Sequence, residues 1–301
     1  MAASPQREPR PTRSTGLGLT LFLLRITRNW MRIVLVILAV YISLPWIAPT
    51  LMKLGLQGPA QVIYTVYRPF CHQFGFRTFH LYGEQAVYPL APVADLIGVK
   101  PYEAYVGQSL IPRQMRQGDL PTPPFNVNAL PAFYGISVPD NVTPDTPAED
   151  QNFVRFQLAT SAYVGNEQMG YKMTLCERDM AIYTSMFVFL LIYSQPPVRR
   201  RLRPLPLWLF VFLGVLPIGI DGVSQLVSYP PFNWWEPRET LPFFRVLTGI
   251  TFGLMTAWLG FPYIDLSMRD VEYDLESKLY NAGVDPSLWH RDRHRQPAEQ
   301  P

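Results

Sequence analysis

The chain has 301 residues, of which 48% are hydrophobic and only 16% charged, with a formal net charge of +3. Soluble domains carry roughly 25% charged residues, so the deficit argues against an ordinary soluble protein and points to lipid, and so small a net charge gives no case for nucleic acid. The 31 prolines exclude a chain that is helical throughout, and the 2 cysteines exclude a disulfide-rich scaffold while leaving one bridge open.

Residues 1–32 read as a basic cytoplasmic tail with Arg7, Arg10, Arg13, Arg25, Arg28 and Arg32. The last three interrupt the apolar run "LGLTLFLL", and no small-residue cleavage site follows, so the segment does not read as a signal peptide. Arg25, Arg28 and Arg32 fall on one helical face, which suits an interfacial helix over 19–32. Those arginines would face anionic headgroups or serve as a simple positive-inside anchor. The first membrane span is expected at 33–52. A long outer-side segment, 53–176, follows. It opens with a short amphipathic helix over 58–70, where Val62, Ile63, Val66, Tyr67 and Phe70 recur at helical spacing. Next comes "RPFCHQFGFRTFHLYGEQ", 68–85, and then a Pro-rich insertion, 86–168, read as loops and short helices with an "NVT" sequon at 141. The remaining spans are expected at 177–195 (the shortest), 205–227 and 243–264, separated by a basic loop at 196–204 and an outer loop at 228–242.

Lys and Arg in short loops set orientation. The N-terminal arginines and Arg199, Arg200, Arg201 and Arg203 put both of their segments in the cytoplasm, and the tail 265–301 with them. The expected fold is therefore an all-α, multi-pass protein of the cell membrane. It has four transmembrane helices, cytoplasmic N- and C-termini, and a large outer-side insertion between helices 1 and 2.

Several polar residues converge on the outer end of this bundle. Cys176, Asp179 and Tyr183 share one helical face, with Arg178 on another. Asp221 and Gln225 are spaced i, i+4, and Asp221 lies about 9 Å inside the outer end of its span at 1.5 Å per residue. An Asp at that depth must be paired, protonated or facing water, and Arg245 in the first turn of the next span is its expected partner. The helix of Arg245 continues with Gly249, Gly253, Thr256 and Gly260, a small-residue face that permits close packing. Two readings are open: structural ion pairs that hold the bundle together, or a binding or catalytic site.

The blocks "FCHQFGFRTFHLYGEQ", "GYKMTLCERDMAIYTS", "PIGIDGVSQL" and "RVLTGITFGL" resemble, in order, those of a prokaryotic family of predicted membrane proteins, domain-of-unknown-function family 2085. The resemblance covers 68–85 and 169–264. It singles out Cys71, His72, Gln73, Arg77, Cys176, Arg178, Asp179, Tyr183, Asp221, Gln225 and Arg245 as candidate site residues, and Thr248, Gly249 and Gly253 as helix-packing positions. Where many members have a third cysteine this chain has Asp179, and the short members have no counterpart to 86–168.

By tying the first block to "LCERD", the resemblance implies that Cys71 is read with Cys176. Both fall on the oxidising side, and the expectation is a disulfide between them. The alternative is a zinc site of Cys71, His72, Cys176 and Asp179; otherwise no cofactor is expected. The family brings no established activity, and no catalytic triad, phosphate-cradling loop or cofactor fingerprint is visible. Three functions follow. The first is a structural or partner-binding component that meets the bilayer and, through 86–168, a protein partner. The second is a metal- or thiol-dependent membrane enzyme. The third is a small transporter or lipid-binding protein using Asp221, Gln225 and Arg245.

Overall fold

The computed structural model describes residues 14–106, 160–228, 232, 234, 235, 238–285 and 289. The "NVT" sequon and most of the Pro-rich insertion lie outside the described residues. Among the described residues, three helices are long and apolar enough to cross a membrane: Gly16–Lys53, Leu207–Leu226 and Pro242–Asn281. They match the first, third and fourth expected spans. Their outward faces are apolar, with Val36, Ile37, Phe212, Ile220, Val223 and Phe243 all exposed, which suits a lipid surround.

The first of these, α1 (Ser14–Lys53), is one continuous helix of 40 residues, so the expected interfacial helix and the first span are a single element. At 1.5 Å per residue it is about 60 Å long, twice the hydrocarbon thickness. Its N-terminal half packs antiparallel on the C-terminal half of α8 (Pro242–Asn281), burying Leu24 against Leu275, Leu279 and Trp289. Arg28 donates to Glu272 at 2.7 Å, to Glu276 at 2.6 Å and to the Trp289 carbonyl. It is a helix–helix clamp rather than a headgroup contact, whereas Arg25 and Arg32 are exposed. This end of the bundle also holds Asp265, which accepts from Arg199 at 2.9 Å, Arg269 at 2.9 Å and Tyr193 at 3.3 Å.

At the opposite end α1 turns into α2 (Gln57–Tyr67), whose Ala60, Tyr64 and Tyr67 are buried while Val62 and Val66 are exposed. A 3₁₀ turn, Gly75–Arg77, and β1 (His80–Leu81) follow, then α3 (Ala91–Ile97) and α4 (Tyr102–Val106). The chain returns through β2 (Gly165–Asn166) and β3 (Gly170–Lys172). The strands form an antiparallel sheet of order β1-β3-β2, with His80 opposite Lys172. The expectation of an all-α fold is corrected here. Strands of two and three residues show no period, and this sheet depends on Gly170 at φ +76°, where a side chain would meet the Gly83 backbone nitrogen at 2.5 Å.

Helix α5 (Glu177–Tyr193) has 17 residues, about 25 Å, and is the one expected span not among the three long apolar helices. It packs parallel to α8 along Gly249 and Gly253. A methyl group on Gly249 would sit 2.6 Å from the Arg178 carbonyl, and one on Gly253 would strike Ile182 and Ser185. After α6 (Pro196–Arg201) comes α7 (Leu207–Leu226), which contains a π-helical stretch, Phe210–Val215. Leu216 there donates to the Val211 carbonyl just before Pro217, which has no N–H to give.

The small face of α8 ends before Gly260, near which no atom stands within 4 Å. Gly253→Leu is therefore expected to overpack the α5–α8 seam and lower stability by about 1–3 kcal/mol. Gly260→Ala is expected to leave stability unchanged or slightly raised. Thermal unfolding of the two variants in detergent distinguishes these outcomes.

Candidate functional site at the Cys71 end of the bundle

The sequence-predicted polar residues do gather at one end, but the N-terminus of α5 divides them into two clusters. On one side is an ionic network. Arg178 pairs with Asp221, whose other oxygen accepts from Thr240 at 2.6 Å and lies 3.7 Å from Arg238. Arg245 pairs with Glu239, not with Asp221 as expected. Glu239 also accepts from Arg77 at 3.1 Å and Gln225 at 2.7 Å. The network thus joins the loop after α2, α5, α7, residues 238–240 and α8. Asp221, Gln225 and Arg245 are each under a tenth exposed, so these charges are held largely out of water. Among the described residues, three buried atoms in the same region have no hydrogen-bond partner: Nε of Arg178, Nε of Arg245 and Oε2 of Glu177. Thr248 bonds back to the Phe244 carbonyl of its own helix at 2.8 Å, so its hydroxyl is spent within α8.

On the other side of α5 is a thiol cluster. Cys71 and Cys176 are both free, and the expected disulfide is corrected: the two sulfurs stand side by side without a bond. The Cys71 sulfur accepts from the Cys176 backbone N–H at 3.3 Å, and the Cys176 thiol donates to Asp179 at 3.1 Å. Cys176 is the N-cap of α5, its sulfur accepting from the Asp179 N–H. The hydrogen bond to Cys71, together with burial, pushes the Cys176 thiol well above its ordinary range. Cys71, Cys176 and Asp179 each present a ligand atom within 4.8 Å of the others and form a group able to hold a metal ion. Tyr183 lies against this cluster, its ring edge-on to Tyr41 at 4.6 Å.

His72 belongs to neither cluster. It is exposed and stacks on Phe74 at 5.4 Å. Gln73 is buried and structural, donating to the Tyr64 carbonyl at 2.8 Å. Its own carbonyl accepts from Lys172 at 2.7 Å. Lys172 also donates to Thr160 and Ser161 at 3.0 and 2.8 Å, so one buried amine joins three separate backbone stretches. Burial pushes that amine down to about 7. Lys172, Glu177, Glu239 and Thr240 were not singled out by the sequence reading. The signal for the last two was "RET", 238–240, a polar triplet directly before an apolar span.

Residues 168–259 match the family described as "Predicted membrane protein (DUF2085)". This stretch is similar to that family. It contains Cys176, Arg178, Asp221, Glu239 and Arg245, and so both partners of every pair in the ionic network except Arg77. The Cys71 block lies before the matched residues. A relative, Uncharacterized protein MJ1492 of Methanocaldococcus jannaschii, is 27% identical over 95 residues, which is 31% of this chain and 54% of that protein. The chain thus spans about half the length of that relative. No solved structure matches the chain.

The two Asp/Glu hubs differ in how far losing an arginine exposes them. Arg245→Met removes a partner from a buried carboxylate and is expected to cost about 3–5 kcal/mol. Arg238 is half exposed, so Arg238→Ala should cost no more than about 1 kcal/mol. Chemical denaturation in detergent measures both.

A second prediction concerns His80, which is buried with Nδ1 3.1 Å from the Thr78 carbonyl. Burial, and then the Lys172 charge, push its imidazole from 6.5 down to about 3. Between those values the unfolded chain binds a proton that the folded chain refuses. The stabilising contribution is complete above about 6.5 and is lost as the pH falls toward about 3. The stability advantage of wild type over His80→Asn is expected to shrink between pH 7 and pH 4, as read from denaturation midpoints.

Proposed function

We propose that the chain is a four-span protein of the cell membrane that acts by binding, with the ionic network as the brace that fixes its outer-side segment. α5 is the fourth span. Its first turn is level with Asp221 and Arg245, and its last residue, Tyr193, bonds Asp265, so it covers the same depth that α8 covers between Arg245 and Asp265. Arg199, Arg200, Arg201 and Arg203 support a cytoplasmic Arg28 end and an outer Cys71 end. The insertion 86–168 is then presented outside to a protein partner.

The observation that carries this reading is the saturation of the two hub carboxylates. Asp221 accepts from Arg178 and Thr240, with Arg238 close by, and Glu239 accepts from Arg77, Arg245 and Gln225. Carboxylates so fully committed serve position rather than proton transfer. A second reading is favoured by the unpartnered Nε atoms of Arg178 and Arg245: an anionic headgroup or small carboxylate gripped at the outer face. The buried Glu177 carboxylate beside them, whose Oε2 has no hydrogen-bond partner among the described residues, opposes an anion there.

The double variant Arg178→Met, Asp221→Leu separates the two. An apolar pair in place of a buried ion pair is often neutral for stability, whereas either single change strands a charge. If the network is a brace, the double variant unfolds near the wild-type temperature and complements a deletion strain. A folded, membrane-inserted double variant that fails to complement would show that these charges act on a ligand, the second reading.

A further inference from the structure

We propose that Cys71, Cys176 and Asp179 form a site for a divalent ion of the zinc type, with a fourth coordination position open to water. This inference is independent of the binding function above. It starts from the spacing: one ligand atom from each residue lies within 4.8 Å of the other two. Ligands of a tetrahedral ion with metal–sulfur bonds near 2.3 Å stand roughly 3.5–3.8 Å from one another, so small side-chain rotations bring the three atoms onto one ion.

A second, separate observation is that backbone N–H groups are aimed at both sulfurs. Gln73 N–H and Cys176 N–H point to the Cys71 sulfur at 3.5 and 3.3 Å, and Asp179 N–H points to the Cys176 sulfur at 3.4 Å. A neutral thiol is a weak acceptor, whereas a metal-bound thiolate is stabilised by such donors. The backbone is also bent to provide one of them. Gln73 has φ +57°, an uncommon conformation for a residue with a side chain, and this turn returns its N–H to the sulfur two residues back. Cys176 caps the N-terminus of α5, where the helix dipole would stabilise the negative charge of a metal-bound sulfur.

Access and ligand count fit an open site. Cys176 and Asp179 are partly exposed while Cys71 is buried, so an ion can enter from one side. His72 stacks away on Phe74 and supplies no ligand. Binding would form two metal–sulfur bonds and one metal–oxygen bond, with the two thiol protons released to solvent and no change in oxidation state.

The test uses the full chain, purified in mild detergent, loaded with zinc or cobalt(II) chloride and dialysed. The expected result is one ion per chain, a thiolate-to-cobalt charge-transfer band, and proton release on binding. Cys71→Ser and Cys176→Ser should each weaken binding by at least about tenfold, in the range that even a supporting group costs. His72→Ala should bind as wild type does. Asp179→Cys should keep or tighten binding, which guards against reading a misfolded variant as a lost ligand. Loss of the ion on dialysis, a cobalt spectrum without the thiolate band, or unchanged metal content in the double serine variant overturns the proposal. So does a Cys71–Cys176 disulfide in the peptide map of the metal-loaded protein.

Discussion

Helix α5 lies so close to α8 that the backbone of one touches positions on the other where only hydrogen fits. Gly249 faces the Arg178 carbonyl and Gly253 faces Ile182 and Ser185. In a bilayer the hydrophobic effect gives no reward for bringing two apolar helices together, so such a seam is held by close packing and by polar contacts at its ends. Both ends supply them. Tyr193, Arg199 and Arg269 converge on Asp265 at one end, and Arg178 reaches Asp221 at the other. With α5 held in this way, Cys176 at its N-cap is brought to Cys71, and the thiol cluster and the ionic network become two faces of the same helix terminus.

The two faces differ in chemistry because they differ in what surrounds them. The ionic face carries Arg77, Arg178, Arg238 and Arg245 against Glu177, Asp221 and Glu239, mostly shielded from water. Charges in that setting are tolerable only when each has an opposite neighbour, and two carboxylates bridging several arginines meet the requirement. The thiol face has Tyr41, Tyr67, Met173 and Met180 packed around its two thiols, a largely apolar wall. One face is built to stay closed. The other leaves two of its polar groups partly open to the outside.

Much of this organisation was legible in the chain. Long apolar runs announce membrane helices whatever their neighbours, and an Asp or Arg inside such a run, as with Asp221 and Arg245, stands out because it is costly there. The partner assignment was not legible. Glu239 sits in a loop, and only the path of that loop back over the helix ends brings its carboxylate to Arg245 before Asp221 can reach it. The cysteines show the same limit. Their family blocks correctly implied that they meet, but meeting does not specify a bond, and backbone donors and Asp179 occupy the sulfurs instead. The sheet was hidden because strands of two or three residues carry no periodicity, and no pattern in the sequence marks Lys172 as the buried amine that three carbonyls surround.

The sheet and Lys172 have an effect on the long insertion that they border. Tyr105, near where the chain leaves the described residues, and Tyr163, near where it returns, pack in one aromatic cluster with Phe76, Tyr88 and Tyr102. Lys172 holds Thr160 and Ser161 to Gln73 beside it. The two ends of the insertion are therefore fastened at a single point. The bundle is thereby buffered against changes in that segment. It forms a socket into which longer, shorter or different sequences can be spliced while the helices beneath keep their places.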